Sequence, residues 1–136
     1  MSASFALQRA VYELLVASPE VGAIVGDHIY DGPPTSAPMP YIAFGPSDTS
    51  EDDAECIAGT VEALQIDCFT SGNRQGPCRM LTGAIYKALH RARLTLPDHR
   101  EAGVSARYRV FMDDDLSSAH GVVTVEALIE EDEADD

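Results

Sequence analysis

The sequence predicts an α+β fold, a single domain in which a mainly antiparallel sheet of about four strands carries packed helices in the order ααββαββ. Three observations point there. Apolar residues recur at helical spacing in some segments and alternate with period two in others. The order sets strand beside strand, as an antiparallel sheet with helices on it requires. The 136 residues suit one domain of ordinary size, long enough to bury about two-thirds of the unfolded surface without disulfide staples.

The first helix is expected from Phe5 to Ala17, where Leu7, Val11, Leu14 and Leu15 form an apolar stripe between Gln8, Arg9 and Glu13. Ser18-Pro19 then supplies an N-cap and a proline at the first helical position, and Gly26 ends a short second helix through Val21, Ile24 and Val25. His28-Ile29-Tyr30 reads as a brief extended piece. The breaker-rich run from Asp31 to Pro40 is a loop, because its four prolines remove backbone donors.

Tyr41-Ile42-Ala43-Phe44 is a short strand stopped by Gly45-Pro46, and Ser47 to Glu55 is expected as an exposed acidic loop. From Thr60 to Phe69, Leu64, Ile66 and Cys68 alternate with Gln65 and Asp67, the pattern of a half-buried strand. A turn from Ser71 to Gly76 leads into the third helix, Pro77 to about Ala92, with Leu81, Ala84, Ile85, Ala88 and Leu89 facing inward. In the next strand Val104, Ala106, Tyr108, Val110 and Met112 alternate with Ser105, Arg107 and Arg109. The run Val122 to Ile129 is β-branched and apolar. The turn Asp113 to Ser118 between these two strands makes them an antiparallel hairpin. The domain is set at residues 1–129, followed by an acidic tail, 130–136, that has nothing to bury and is expected to be disordered.

With 23 acidic and 9 basic side chains the net charge is −14, but it is segregated. Residues 1–73 hold eleven acids against Arg9; residues 74–109 hold eight bases against Asp98 and Glu101; residues 110–136 hold ten acids and no base. Such a balance disfavours a freestanding nucleic-acid binder, whose affinity comes from neutralising phosphates, and disfavours docking on an anionic membrane. An apolar fraction of 45% argues against wholesale disorder. The blocks are either solvated faces or complementary recognition patches.

Few residue patterns carry chemistry. Cys56, Cys68 and Cys78 are odd in number and lack C-x-x-C spacing, so neither a disulfide framework nor a zinc ribbon is supported. Asp113-Asp114-Asp115 lacks the alternating ligands and central glycine of a calcium loop. His28, His90, His99 and His120 are scattered, and no metal site or cofactor is expected. Gly72 to Gly76 precedes a helix but lacks the Lys-Ser/Thr ending of a phosphate loop. Cys78 near a helix start is a conceivable thiol nucleophile, yet no base is paired with it and no triad can be assembled. No catalytic residue is expected. Neither a signal peptide nor a span of about 20 apolar residues is visible, so the reading is of a soluble protein made in a cytoplasm.

One patch suits a partner. Arg79, Lys87 and Arg91 fall on one ridge of the third helix at multiples of four residues, with Arg107 and Arg109 on a nearby strand. Gly83, midway along the ridge, carries a helix penalty of ~1 kcal/mol and would permit close approach of another chain. These six residues form the candidate interface, for a neighbouring subunit or another partner, either an acidic protein or a phosphate backbone; the bland alternative is that the bases balance the chain's own acids.

The order of motifs carries a resemblance. A first helix is followed by Val25-Gly26-Asp27-His28-Ile29-Tyr30-Asp31, a Gly/Pro loop, Pro40-Tyr41-Ile42-Ala43-Phe44, the Val61-to-Phe69 strand, a helix ending Ala84-Ile85-Tyr86-Lys87-Ala88-Leu89, and a final hairpin. Over about residues 5 to 129 this resembles the tail terminators, or tail-completion proteins, of long-tailed phages and phage-derived gene transfer agents. The resemblance implies a subunit of a ring, typically a homohexamer, that caps the tail-tube protein, ends its polymerisation and joins the tail to a head-completion or connector protein. DNA passes through the lumen without specific binding, and no membrane is involved. It implies assembly in the bacterial cytoplasm and then residence in the tail of the particle. Eight Arg to one Lys and abundant Ala fit a GC-rich bacterial genome. A competing class is an acidic DNA mimic or inhibitor binding a basic partner, motivated by the charge and the acidic tail; a small thiol hydrolase using Cys78 is a third.

Overall fold

The computed structural model describes residues 1–33, 35–51 and 59–131. Three helices and six strands follow one another as α1 (Ala3–Ala17), α2 (Pro19–Val25), β1 (Ile29–Tyr30), β2 (Tyr41–Glu51), β3 (Gly59–Ser71), α3 (Gly76–Leu89), β4 (Arg93–Leu94), β5 (Ala102–Met112) and β6 (Ser118–Glu130). The α+β class holds. The sheet has six strands rather than about four, ordered β1-β2-β3-β6-β5-β4, and the chain order is ααβββαβββ. β1 runs parallel to β2, and every other neighbour is antiparallel. The two added strands are two-residue edges, too short to show any alternation. Long-range bonds recruit them: Ile42 N–H donates to His28 O at 2.9 Å, and Val104 N–H to Ala92 O at 3.0 Å.

Local signals place the helices well. Ser2 caps α1, accepting from Phe5 N–H at 3.2 Å, and Ser18 caps α2, accepting from Val21 N–H at 3.2 Å ahead of Pro19. Gly26 ends α2 at φ 60, a left-handed value that glycine adopts without a Cβ penalty. α3 stops at Leu89, three residues short of the expectation. His90 is extended and Arg91 lies at φ 64, so the chain reverses and Arg91 N–H bonds Val104 O at 2.8 Å. Arg91 is therefore not on the helix.

Two further expectations are corrected. Gly45-Pro46 does not end β2; the register shifts between Phe44 and Ser47 and the strand resumes opposite β3, so Ser47–Glu51 is strand rather than loop. A bulge absorbs the proline that a regular ladder would exclude. At the other terminus Glu130 closes β6 and Glu131 bridges to His99, so the sheet takes in the first two residues assigned to the tail. The rest of that tail, 132–136, lies outside the described residues, as do Cys56 and 52–55 of the expected acidic loop.

All three helices lie on one face of the sheet. That face is built from Leu64, Ile66 and Cys68 of β3 and Ala119, Val123, Val125, Ala127 and Ile129 of β6, covered by Leu7, Val11 and Leu15 of α1 and by Leu81, Ile85 and Leu89 of α3. One polar member sits among them. Glu62, 1% exposed, accepts from Thr49 Oγ1 at 2.7 Å and Thr60 Oγ1 at 2.5 Å, the satisfaction a buried carboxylate needs. α3 comes closest to the sheet at Gly121, where a Cβ would stand 2.1 Å from Thr82 Oγ1 and 2.7 Å from Cys68 Sγ.

Candidate functional site

The six residues of the candidate interface are not brought together. Arg79 and Lys87 lie on the outer surface of α3 and are already engaged within the chain. Arg79 Nη2 donates to Gln75 Oε1, and Lys87 Nζ to Glu20 Oε1 of α2, both at 2.8 Å. That hydrogen bond, with the charge of Glu20, holds the Lys87 ammonium above its ordinary pKa. A Cβ at Gly83 would meet nothing within 4 Å, so the helix surface there is open. Arg91 sits in the turn after α3. Arg107 and Arg109 are on the opposite side of the molecule, on the sheet face that no helix covers.

That opposite face follows from strand parity. On β5 the buried Ala102 and Val104 point to the helices, so Ser105, Arg107, Arg109 and Phe111 point away. Their partners on β6 are Glu126, Thr124, Val122 and His120, and these in turn lie beside Ala63, Gln65, Asp67 and Phe69 of β3. The helix-free face is thus polar and charged near its middle, and aromatic at one end.

The aromatic end went unnoticed in the sequence. Rings run across five strands: His28 and Tyr30 (centroids 6.2 Å apart), Tyr30 and Tyr41 (5.9 Å), Tyr41 and Phe69 (5.0 Å), Phe69 and His120 (4.3 Å), and His120 and Phe111 (4.8 Å). The Arg109 guanidinium continues the row, 4.9 Å from the Phe111 centroid, a cation–π distance. His120 Nε2 lies 2.7 Å from Asp67 Oδ1, and Asp113 Oδ1 is 4.0 Å from its other ring nitrogen. Burial raises the pKa of Tyr41, with Asp113 and Asp67 adding to it. These rings are far apart in sequence, and only the register of β2, β3, β6 and β5 aligns them.

At the β4 end of the same face, Arg91, Arg93, Ser105, Glu126 and Leu128 line an open groove of about 530 Å³. Arg93 Nε donates to Glu101 at 2.9 Å. Two of the cysteines considered for chemistry, Cys68 and Cys78, meet inside the core. Cys78 is 0% exposed beside Thr82, whose hydroxyl is 3.8 Å from its sulfur and 3.2 Å from the equally buried Cys68. This thiol is a core residue and cannot meet a substrate. Asp113 and Asp115 shape the β5–β6 turn, Asp115 Oδ1 accepting from Ser117 N–H at 3.0 Å. Among the described residues no group of three His, Cys, Asp or Glu is placed to hold a metal ion, and no helix is long and apolar enough to cross a membrane. The described residues form a layered body with one helix-free sheet face that is polar, charged and aromatic.

The family model described as tail completion protein gp17 matches residues 9–130. The chain belongs to this family. As a tail-completion protein it has a structural role in phage-type tails. Its fold is similar to that of a chain in the virion of a native gene transfer agent (GTA) particle, at 27% identity and a TM-score of 0.84, over 96% of this chain and 99% of that one. No curated protein matches the sequence. The tail-completion fold therefore coincides with nearly all of what is described here, and the family match ends at Glu130, where β6 does.

Proposed function

We propose that this tail-completion protein is the subunit of a ring, six copies in a closed head-to-tail circle, that caps the tail tube, ends its polymerisation and joins the tail to the head. The observation that carries this reading is the family match over residues 9–130, and the likeness to a chain of a GTA virion supports it. Head-to-tail rings need two different patches that fit each other. Segregated charge suits that requirement, since opposite potentials steer association and fix register. The subunit is assembled in the bacterial cytoplasm and then resides in the particle, with the tail-tube protein and a head-completion or connector protein as its neighbours. A ring of strongly negative copies tolerates passing DNA without retaining it, because it offers few cations to neutralise phosphates.

The test mixes the purified chain with polymerising tail-tube protein and follows tube length by negative-stain electron microscopy. Tubes of arrested length with a terminal ring are expected. Tubes that elongate unchecked, with the chain a monomer throughout, would overturn the proposal. The DNA-mimic reading draws on the net charge and the acidic tail; binding to a basic DNA-binding protein that is lost on truncation after Ile129 would support it instead.

A further inference from the structure

Both edges of the sheet are half-covered, and at opposite ends. β4 pairs with β5 only at Ala102 and Gly103. Just beyond, Val104 N–H donates to Ala92 O and Ala106 N–H to the His90 ring, both at 3.0 Å. These donors point away from β6. The alternation of an antiparallel ladder therefore turns the N–H and C=O groups of Tyr108, Val110 and Met112 outward as well, where no strand lies beside them among the described residues. At the other edge β1 pairs with β2 only at Ile42 and Ala43, leaving Ser47–Glu51 exposed with no outer strand among the described residues.

The two open stretches carry opposite charge. Arg107 and Arg109 flank Tyr108 on β5, while Asp48 and Glu51 stand on β2. Among the described residues none of Arg107, Arg109, Asp48 and Glu51 has an ion-pair partner within the chain. Unpaired backbone with matching charge is the recipe for one edge strand to take up another.

We infer that in the ring proposed above, on which this rests, the open stretch of β5 in one copy pairs with Ser47–Glu51 of β2 in the next, running four strands of every copy into one continuous barrel. The directions agree. β2 and β5 are separated by three antiparallel steps, so they run oppositely and meet antiparallel when like-oriented copies stand side by side. The offset agrees too. Across the sheet Ile42 is level with Val110, and Thr49 with Val104. The open stretches are thus displaced by about six residues, roughly 20 Å, against a lateral repeat of four strands, roughly 19 Å. Strands joined in this way tilt about 45° from the ring axis, at the upper end of the range seen in closed barrels. Six copies make a barrel of about 24 strands, larger than those that already enclose a water-filled channel. The helix-free face then lines that channel.

The experiment uses two charge-reversed full-length variants, Arg107→Glu with Arg109→Glu, and Asp48→Lys with Glu51→Lys, each mixed with tail-tube protein. Ring formation by each alone is expected to fall roughly tenfold or more, since like charges across an interface cost several kcal/mol. An equimolar mixture of the two should restore rings of alternating copies, because every junction is again complementary. Tyr108→Pro tests the backbone directly: it deletes one outward donor without touching the ladder to β6 and should abolish rings while far-ultraviolet circular dichroism is unchanged. Undiminished rings from either charge variant or from folded Tyr108→Pro, or a mixture of two folded variants that stays unassembled, would overturn the edge pairing and leave the ring reading intact. A wild-type chain that forms no ring under these conditions overturns both.

Discussion

The two faces of one sheet are made from the same strands yet follow different rules. On β6, Val123, Val125 and Ile129 turn toward the helices and are at most 1% exposed, whereas Glu126 and Leu128 between them turn the other way and stay in solvent. Alternation with period two lets one strand build a core and a recognition surface at once. The helix-side residues answer to packing, so their sequence signal is hydrophobicity. The bare-side residues carry no core, so charge and aromatic rings are allowed there, and which of them become neighbours depends on register.

This contrast can be broken or sharpened by substitution. The largest effect is expected for Ile85→Ala, where α3 meets the sheet. Truncating a fully buried aliphatic side chain should cost about 2–5 kcal/mol in urea unfolding. Next, Gly121→Ala places a methyl group against Thr82 Oγ1 and should cost about 1–3 kcal/mol, read as a lowered thermal midpoint. Glu62→Ala removes the acceptor of the Thr49 and Thr60 hydroxyls, which can turn to water in part, and about 1–2 kcal/mol of destabilisation is expected. Ser18→Ala removes the cap of α2 for about 1 kcal/mol. The smallest effect belongs to the bare face. Arg107→Ala should change stability by about 0.5 kcal/mol or less while still weakening ring assembly, and a large loss of stability there would erase the distinction between the two faces.

The sequence made the helix side legible. The stripes of α1 and α3, the Ser18-Pro19 cap and the β5–β6 hairpin all come from local patterns, because each depends on residues three, four or two apart. Even Glu62 carried a usable signal: it shares the parity of Leu64 and Ile66, so alternation alone turns it inward. What was not legible depends on partners distant in sequence. β1 and β4 are strands only because β2 and β5 supply their hydrogen bonds. Ser47–Glu51 is strand because β3 lies opposite it, although its polar, exposed composition reads as loop. Helical spacing placed Arg91 in line with Arg79 and Lys87, but the left-handed turn after Leu89 carries it off the helix. The six candidate interface residues were gathered by proximity along the chain, and the sheet then divided Arg107 and Arg109 from Arg79, Gly83 and Lys87 by its own thickness. The aromatic row is the clearest case, since its members become neighbours only through four strand registers.

The two-residue edge strands also bear on how the protein survives before it finds its place. A fully bare edge on each side would let copies zip together flush, in register, into flat ribbons without end, the usual route by which exposed strands precipitate. β1 and β4 each blunt half of an edge, and at opposite ends, so flush stacking meets an obstacle at every junction. The contact that remains, as in the edge pairing proposed above, is a stepped one. The same two short segments that escape notice in the sequence thus blunt both edges against flush edge-to-edge aggregation.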